Sequence, residues 1–273
     1  MKNGLVVFTD LDGTLLDHQT YTFEPARPAL KALKARGAPL VPCSSKSFGE
    51  LLELKQMLEF DGPLIAENGG GVYLPSSHPL AGLDGGSQWQ AQGPGWLRQD
   101  LGLPVDEVRR RLAPLKVRFG LRGFGDMDDQ EVAALTGLSL ASAVLARRRH
   151  YDEPLLPTAT PIDASDLGRA AASAGLEVAQ GGRFWHAFSG GGKGRAVSLL
   201  LDLYRRLDLG LVSMALGDAL NDLPMLAVVE RPVLVARPGG GHALVDLPGL
   251  RRAPLVGPAG FNQAVLEALE ELA

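Results

Sequence analysis

Two acidic pairs have the residue types and spacing to act on the same substrate. Asp10 and Asp12 follow a short apolar run, and Asp218 and Asp222 follow a second apolar run far along the chain. In an extended chain, residues i and i+2 point the same way, so Asp10 and Asp12 are expected to face one cleft. Asp218 and Asp222 are four residues apart, so the start of a helix can turn both toward one point, where Asn221 adds a neutral oxygen.

Carboxylates that converge on one point repel each other unless a cation or a shared proton compensates. Hard oxygen ligands suit Mg²⁺, so we predict a magnesium site formed by Asp10, Asp12, Asp218 and Asp222. The alternative is a pair of unrelated surface turns, because Asp-Gly is a common turn dipeptide. That alternative needs two acidic turns that both happen to follow apolar runs, and it is the weaker interpretation.

Mg²⁺ in proteins usually holds a phosphate as well as carboxylates, so such a site needs further donors. Ser44 ends the apolar run "APLVPCSS", and Lys193 lies in "SGGGKGR" before a helical pattern. The lysine stretch taken alone is equally typical of a flexible surface loop. It is not a nucleotide-binding P-loop, because Gly194 follows the lysine where Ser or Thr is required. Cys43, beside Ser44, has no histidine in its motif to activate it, which favours a packed thiol.

The elements around these residues predict a parallel sheet that brings them together. Apolar runs and helical patterns alternate through the first 75 residues, and the alternation returns at Lys193. This order predicts a doubly wound α/β core, in which ligands bind at the carboxyl ends of the strands. Between the two parts the chain is rich in Gly, Ser and Gln and then mixes helix and strand patterns. We predict a core of residues 1–81 and 189–273, interrupted by an α+β cap domain at 82–188.

The composition excludes several classes of protein. The chain of 273 residues carries a net charge of −4, which gives no sign of a nucleic-acid partner. No apolar stretch approaches the ~18 residues of a membrane span. A single cysteine and the lack of a signal-peptide pattern predict a cytoplasmic protein. The oligomeric state cannot be read from these features.

Four motifs in this order resemble the haloacid dehalogenase superfamily of phosphohydrolases. They are "DLDGT" from Asp10, the hydroxyl of Ser44, Lys193 and "GDALND" around Asp218. The long gap before Lys193 resembles the sugar-phosphatase branch, whose members carry an α+β cap. "SSK" from Ser44, "AENGGGVY", "RRHYDEP" and "GGRFWHAFSGGGKG" look most like the mannosyl-3-phosphoglycerate phosphatase family.

The resemblance implies a mechanism and a substrate class. Asp10 would attack phosphorus and form an aspartyl-phosphate, and Asp12 would act as general acid and then as general base. Ser44 and Lys193 would bind the phosphate oxygens, and Asp218 would be a direct Mg²⁺ ligand with Asp222 ranked after it. The substrate would be a small phosphorylated sugar-glycerate, and the product would be mannosylglycerate, a compatible solute.

The non-phosphorylated part of such a substrate needs cations for its carboxylate and polar groups for its hydroxyls. The candidate substrate-binding residues are Ser45, Lys46, Glu67, Asn68, Gly69, Arg149, Glu153, Arg183, His186 and Asn221. Each cap candidate also has a simpler interpretation. The arginines at 147–149 are typical of a solvated helix face, and Glu153 before a proline is typical of a helix cap.

Three rival functions remain open from the sequence. A phosphomutase of the phosphomannomutase type resembles this core and cap, but it returns the phosphate to a sugar. Another sugar phosphatase, acting on glucosyl-3-phosphoglycerate or sucrose phosphate, would use the same core chemistry. A non-catalytic phosphate-binding module would bind phosphosugars without releasing phosphate.

Overall fold

The computed structural model describes residues 4–83, 89–158 and 162–272. The ends of the predicted domains at residues 1 and 273 lie outside these ranges. The strands are β1 (Leu5–Thr9), β2 (Leu40–Pro42), β3 (Leu64–Ala66), β4 (Gly71–Pro75), β5 (Gln90–Ala91), β6 (Trp96–Asp100), β7 (Leu121–Gly123), β8 (Glu153–Pro157), β9 (Glu177–Gly181), β10 (Phe184–Phe188), β11 (Val212–Gly217), β12 (Arg231–Ala236) and β13 (Arg251–Val256). The helices are α1 (Arg27–Ala35), α2 (Phe48–Leu58), α3 (Val105–Phe119), α4 (Asp129–Thr136), α5 (Leu140–Arg147), α6 (Ala164–Ser173), α7 (Lys193–Leu207), α8 (Leu223–Leu226) and α9 (Gly257–Glu271).

A five-stranded parallel sheet in the order β13-β12-β11-β1-β2 forms the core of the molecule. All five residues of β1 are buried, because helices cover both faces of the sheet. Leu5 and Val7 pack with α1, α2 and α9, whereas Val6 and Phe8 pack with α7. The predicted doubly wound α/β core is confirmed. Its strand order puts the ends of β1, β2 and β11 next to one another.

The predicted cap is a separate antiparallel layer with helices on it. Its sheet has the order β7-β8-β10-β9. Apolar side chains of α3 and α6 form one buried cluster with this sheet. A second cluster lies around α4 and α5 and includes Phe124 and Val132. This arrangement is the α+β cap that the sequence predicted.

A third sheet has the order β3-β4-β6-β5, and its strand pairing indicates where the cap begins. Strands β5 and β6 lie beyond the predicted boundary at residue 82, yet β6 pairs with β4 of the core segment. After β6, the chain meets the segment that leaves the cap at Leu103. The N–H of Leu103 donates to the carbonyl of Ser189 at 3.0 Å. We therefore propose a first cap boundary near residue 103. The second boundary, at residue 188, stays a prediction.

Direct contacts hold the cap against the core. Helix α5 of the cap packs on α2 of the core, where the absence of a side chain at Gly49 leaves room for Leu145. The hydroxyl of Ser47 donates to the Leu145 carbonyl at 2.9 Å, and the same oxygen caps the N-terminus of α2. None of the helices in the described ranges has the length and apolar character required to cross a membrane.

Candidate active site

The first acidic pair lies in a tight turn at the end of β1. The N–H of Asp10 donates to the Leu216 carbonyl of β11 at 2.9 Å, which fixes the two strand ends side by side. Gly13 has a φ of +87°, and a Cβ there would lie 2.9 Å from Oδ2 of Asp218. Glycine is therefore needed at this position, both for the backbone conformation and for the approach of the Asp218 carboxylate.

Asp10, Asp218 and Asp222 bring carboxylate oxygens within 4.8 Å of one another. Burial, followed by repulsion from Asp222, raises the pKa of Asp10 well above its ordinary value. The same two causes raise the pKa of Asp218 to about 6. The cluster is thus short of positive charge, and its all-oxygen donor set fits a hard divalent cation such as Mg²⁺. The carboxylate of Asp12, which the sequence placed with the metal ligands, is not part of this cluster.

Asp222 is fully buried, and three donors already occupy its carboxylate. Oδ2 accepts the N–H groups of Asp218 and Ala219 at 3.0 and 3.1 Å, and Oδ1 accepts from Nζ of Lys193 at 2.7 Å. These bonds hold the Asp218 turn and the lysine in place. They favour Asp10 and Asp218 as the residues that would contact a cation directly. Asp222 would then support these two residues rather than bind the cation itself.

Lys193 is the first residue of α7, and its ammonium lies between Asp10 and Asp222 of the cluster. Its Nζ donates to Oδ1 of Asp10 at 2.6 Å, with 2% of the side chain exposed. Burial disfavours the charged ammonium, but Asp10 and Asp222 outweigh burial and raise the pKa of Lys193 well above its ordinary value. The lysine therefore stays charged and can bind an anion beside the carboxylate cluster.

The loop after β2 places Ser44 and Lys46 at the same edge of the sheet. Ser44 is buried, and its hydroxyl accepts the N–H of Lys46 at 3.2 Å. The ammonium of Lys46, which the sequence assigned to substrate, donates to Oδ2 of Asp12 at 2.9 Å. This contact orients the Asp12 carboxylate. Ser45 presents its carbonyl to the cap, where it accepts from Arg149 at 2.5 Å.

Residues 67–69 form an unusual backbone turn between the loops that carry Ser44 and Lys193. Glu67 and Asn68 both have positive φ values, 51° and 55°, although neither is glycine. The N–H of Asn68 donates to the Ser44 carbonyl at 2.9 Å. Gly69, with a φ of +88°, packs directly on the Gly192 carbonyl, where a Cβ would collide. Strain of this kind is typical of functional sites, where the surrounding structure has to maintain it.

The carboxylate of Glu67 holds the cap backbone and leaves little capacity for substrate. It is fully buried and accepts the N–H groups of His150, Tyr151 and Asp152, the last two at 2.7 and 3.0 Å. Burial raises its pKa to about 7. The backbone donors of the cap thus occupy the carboxylate that we had selected as a substrate-binding candidate, and a role of Glu67 in substrate binding stays a prediction.

Asn68, Arg149 and His186 do meet, around a residue that the sequence analysis did not select. Oδ2 of Asp152 accepts from Nδ2 of Asn68 at 2.8 Å and lies 2.9 Å from Nδ1 of His186. Its other oxygen lies 3.2 Å from the Arg149 guanidinium. Burial opposes the ionised form of Asp152, but Arg149 and then His186 lower its pKa below the ordinary value. The only sequence signal for Asp152 was its place in "RRHYDEP".

Two of the three remaining candidates lie apart from this group. Glu153 is buried inside the cap, where it pairs with Arg109 at 2.8 Å and accepts the N–H of Gly125. Arg183 is exposed, and its guanidinium donates to carbonyls at the end of α4. These positions do not support the predicted substrate roles of Glu153 and Arg183, which stay predictions. Asn221 is half-buried beside Asp222, and its Oδ1 has no partner among the described residues.

Arg237 is a second residue that the sequence analysis missed. It follows β12, the strand next to β11, and its Nε donates to the Asp218 carbonyl at 2.8 Å. The same nitrogen lies 3.7 Å from Oδ2 of Asp218. The strand-end rule that selected the aspartates would have selected this arginine too.

Comparisons with known proteins agree with the geometry of the site. A family described as haloacid dehalogenase-like hydrolase matches residues 7–81. A glucosyl-3-phosphoglycerate/mannosyl-3-phosphoglycerate phosphatase of Methanococcoides burtonii is 37% identical over 268 residues, which cover 97% of each chain. A mannosyl-3-phosphoglycerate phosphatase of Pyrococcus furiosus is 35% identical over 230 residues, covering 84% of this chain and 90% of the relative.

Solved structures support the fold at lower identity. A Thermoplasma acidophilum protein aligns with a TM-score of 0.67 at 18% identity, covering 99% of this chain and 100% of its own. A sucrose-phosphatase from Synechocystis, solved with sucrose and phosphate, aligns with a TM-score of 0.60 at 17% identity, covering 99% and 98%. These likenesses concern the architecture alone.

Proposed function

The chain belongs to the glucosyl-3-phosphoglycerate/mannosyl-3-phosphoglycerate phosphatase family of haloacid dehalogenase-like hydrolases, and we propose that it hydrolyses mannosyl-3-phosphoglycerate to mannosylglycerate and phosphate. It is a phosphoric monoester hydrolase. The observation that carries the proposal is the contact of the buried Lys193 with Asp10, inside a carboxylate cluster at the strand ends. That arrangement presents a carboxylate nucleophile beside a fixed positive charge.

The reaction uses the two aspartates in succession. A carboxylate oxygen of Asp10 attacks phosphorus, and the bond between phosphorus and the ester oxygen breaks as an aspartyl-phosphate forms. Asp12 gives a proton to the departing oxygen, which becomes the glycerate hydroxyl. Asp12 then takes a proton from water as that water attacks phosphorus, which releases phosphate and restores the Asp10 carboxylate. Lys46 keeps the Asp12 side chain oriented at this position.

The charge on the transferring phosphoryl group requires fixed positive groups and donors around it. Lys193 supplies a positive charge that is buried and therefore shielded from water. Ser44 supplies a hydroxyl at the end of β2. Asp10 and Asp218 would hold Mg²⁺, with Asp222 behind them. When bound, the cation neutralises these carboxylates and the phosphoryl oxygens.

The Methanococcoides burtonii relative is named for both glycosides, so glucosyl-3-phosphoglycerate is the second candidate substrate. The test measures phosphate release from both glycosides, from sucrose phosphate and from p-nitrophenyl phosphate, with Mg²⁺ or with a chelator. We expect the highest kcat/KM on a glycosyl-3-phosphoglycerate and loss of turnover with the chelator. Release of phosphate only from the small aromatic ester would contradict the proposed substrate, and a requirement for a sugar bisphosphate would indicate a mutase.

The predicted partner is thus a small phosphorylated sugar-glycerate. The cytoplasmic location and the absence of nucleic-acid or membrane partners stay predictions.

A further inference from the structure

A buried polar cluster crosses the boundary between core and cap beside the phosphate site. Asn68 comes from the core, whereas Arg149, Asp152 and His186 come from the cap. Asp152 is fully buried and His186 is 4% exposed. Burying polar groups is costly unless each has a partner, and here Asp152 partners Asn68, Arg149 and His186.

The His186 ring lies between two core loops that carry the phosphate-site residues. On one side, Nδ1 reaches Asp152 and through it Asn68, whose own N–H is bonded to the Ser44 carbonyl. On the other side, a Cβ at Gly181 would lie 3.7 Å from Nε2 of His186 and 3.7 Å from Nδ2 of Asn221. The Nε2 edge of the ring therefore shares the space beside Gly181 with Asn221, the neighbour of Asp222.

The hydrogen bonding around His186 determines what its free edge can bind. When Nδ1 carries the single ring N–H and donates it to the Asp152 carboxylate, Nε2 is left as an acceptor. None of the described residues hydrogen-bonds to this nitrogen. The Oδ1 atom of Asn221 is likewise a buried acceptor without a partner in the described part of the chain. The Asn221 atom that lies beside Gly181 is Nδ2, a donor, so an acceptor and a donor border the same space. A hydroxyl group, which both donates and accepts, suits this pair, whereas a carboxylate or phosphate offers no proton to Nε2.

We propose that His186, held in orientation by Asp152, accepts a hydrogen bond from a hydroxyl of the glycosyl group, with Asn221 contacting the same group. This inference rests on the proposed function and assigns one part of its substrate to one side of the cleft. His186 is a substrate-binding residue in this scheme, and Asp152 is a positioning residue.

Two substitutions of His186 distinguish the contribution of Nδ1 from that of Nε2. His186→Asn keeps an amide near the Nδ1 position, so the bond to Asp152 survives while the group at Nε2 is lost. His186→Gln keeps a polar atom near the Nε2 position. We expect His186→Asn to lower kcat/KM on the glycosyl-3-phosphoglycerate about tenfold, mainly by raising KM, because one hydrogen bond to substrate is lost. His186→Gln should retain more of the wild-type value.

The same variants are assayed with p-nitrophenyl phosphate, which has neither a glycosyl group nor a glycerate. We expect turnover of this ester to stay within about twofold of wild type in His186→Asn. Asp152→Asn should shift KM for the glycoside in the same direction without changing turnover of the aromatic ester. Gln180→Ala, an exposed change on the neighbouring strand, is the matched control that should alter neither substrate.

A parallel loss on both substrates would overturn the proposal, because it would indicate a structural role for His186. Unchanged kinetics on the glycoside would overturn it as well. Should His186→Asn not fold, Asn221→Ser gives the second test, with the same selective loss expected on the glycoside. A wild-type enzyme that hydrolyses the aromatic ester and no glycosyl-3-phosphoglycerate would instead reject the proposed function.

Discussion

Replacing Lys193 with methionine removes the ammonium that is bonded to Asp10 while keeping an unbranched side chain of similar length. The ammonium is bonded to Asp10 at 2.6 Å and to Asp222 at 2.7 Å, and 2% of the side chain is exposed. Removing one partner of a buried ion pair costs about 3–5 kcal/mol of unfolding free energy. Losing a preorganised donor to the reacting group costs about 10²- to 10³-fold in kcat.

Both numbers can be measured on the same protein. Thermal unfolding of Lys193→Met in a chelating buffer should show a midpoint lower by on the order of 10 °C, and phosphate release with Mg²⁺ should show the loss in kcat. Lys34→Met is the matched control. Its ion pair with Glu59 spans 3.5 Å between side chains that are 68% and 77% exposed, so it should cost less than about 1 kcal/mol. Turnover of Lys193→Met within about threefold of wild type would refute the proposed role of the lysine.

Three further predictions follow from the same geometry. Mg²⁺ should bind about tenfold more weakly at pH 5 than at pH 7. The pKa of Asp218 is raised to about 6, so at pH 5 a proton on this carboxylate competes with the cation. Equal Mg²⁺ affinities at the two pH values, measured by calorimetry, would contradict this prediction. Gly69→Ala should destabilise the protein more than Gly137→Ala. Both residues have positive φ, but only a Cβ at residue 69 collides with backbone, that of Gly192. Equal unfolding midpoints of the two variants would exclude the clash. Cys43 is fully buried, and burial raises its pKa, so iodoacetamide should neither label the native protein nor reduce its activity; rapid labelling would show an accessible thiolate.

The core of the site could be predicted because strand ends in a parallel sheet converge. Asp10, Ser44 and Asp218 each follow an apolar run, and the order of the elements required those runs to be neighbours. Local signals also set helix bounds: α4 covers Asp129–Thr136 because Asp128 caps its N-terminus and Gly137 its C-terminus. These features depend on contacts close in sequence or on a rule of topology.

The cap side of the site could not be predicted in the same way. Glu67 and Asp152 are 85 residues apart in the chain, and the sequence alone does not show that the Glu67 carboxylate receives the backbone of residues 150–152. A charge selected for a substrate can equally be satisfied by protein donors, as Glu67 and Glu153 show. Strands β5 and β6 were also assigned to the cap, because the sequence does not reveal that β6 pairs back to β4.

The most direct test of the catalytic assignment is to identify the residue that carries the phosphoryl group. The enzyme would be mixed with glycosyl-3-phosphoglycerate and Mg²⁺, quenched in acid within the first turnover and digested for mass spectrometry. We expect a phosphoryl group on Asp10 and none in Asp10→Asn, whose turnover should be lost while its fold persists. A phosphoryl group on another residue, or an Asp10→Asn enzyme with wild-type turnover, would contradict the assignment of Asp10 as the nucleophile.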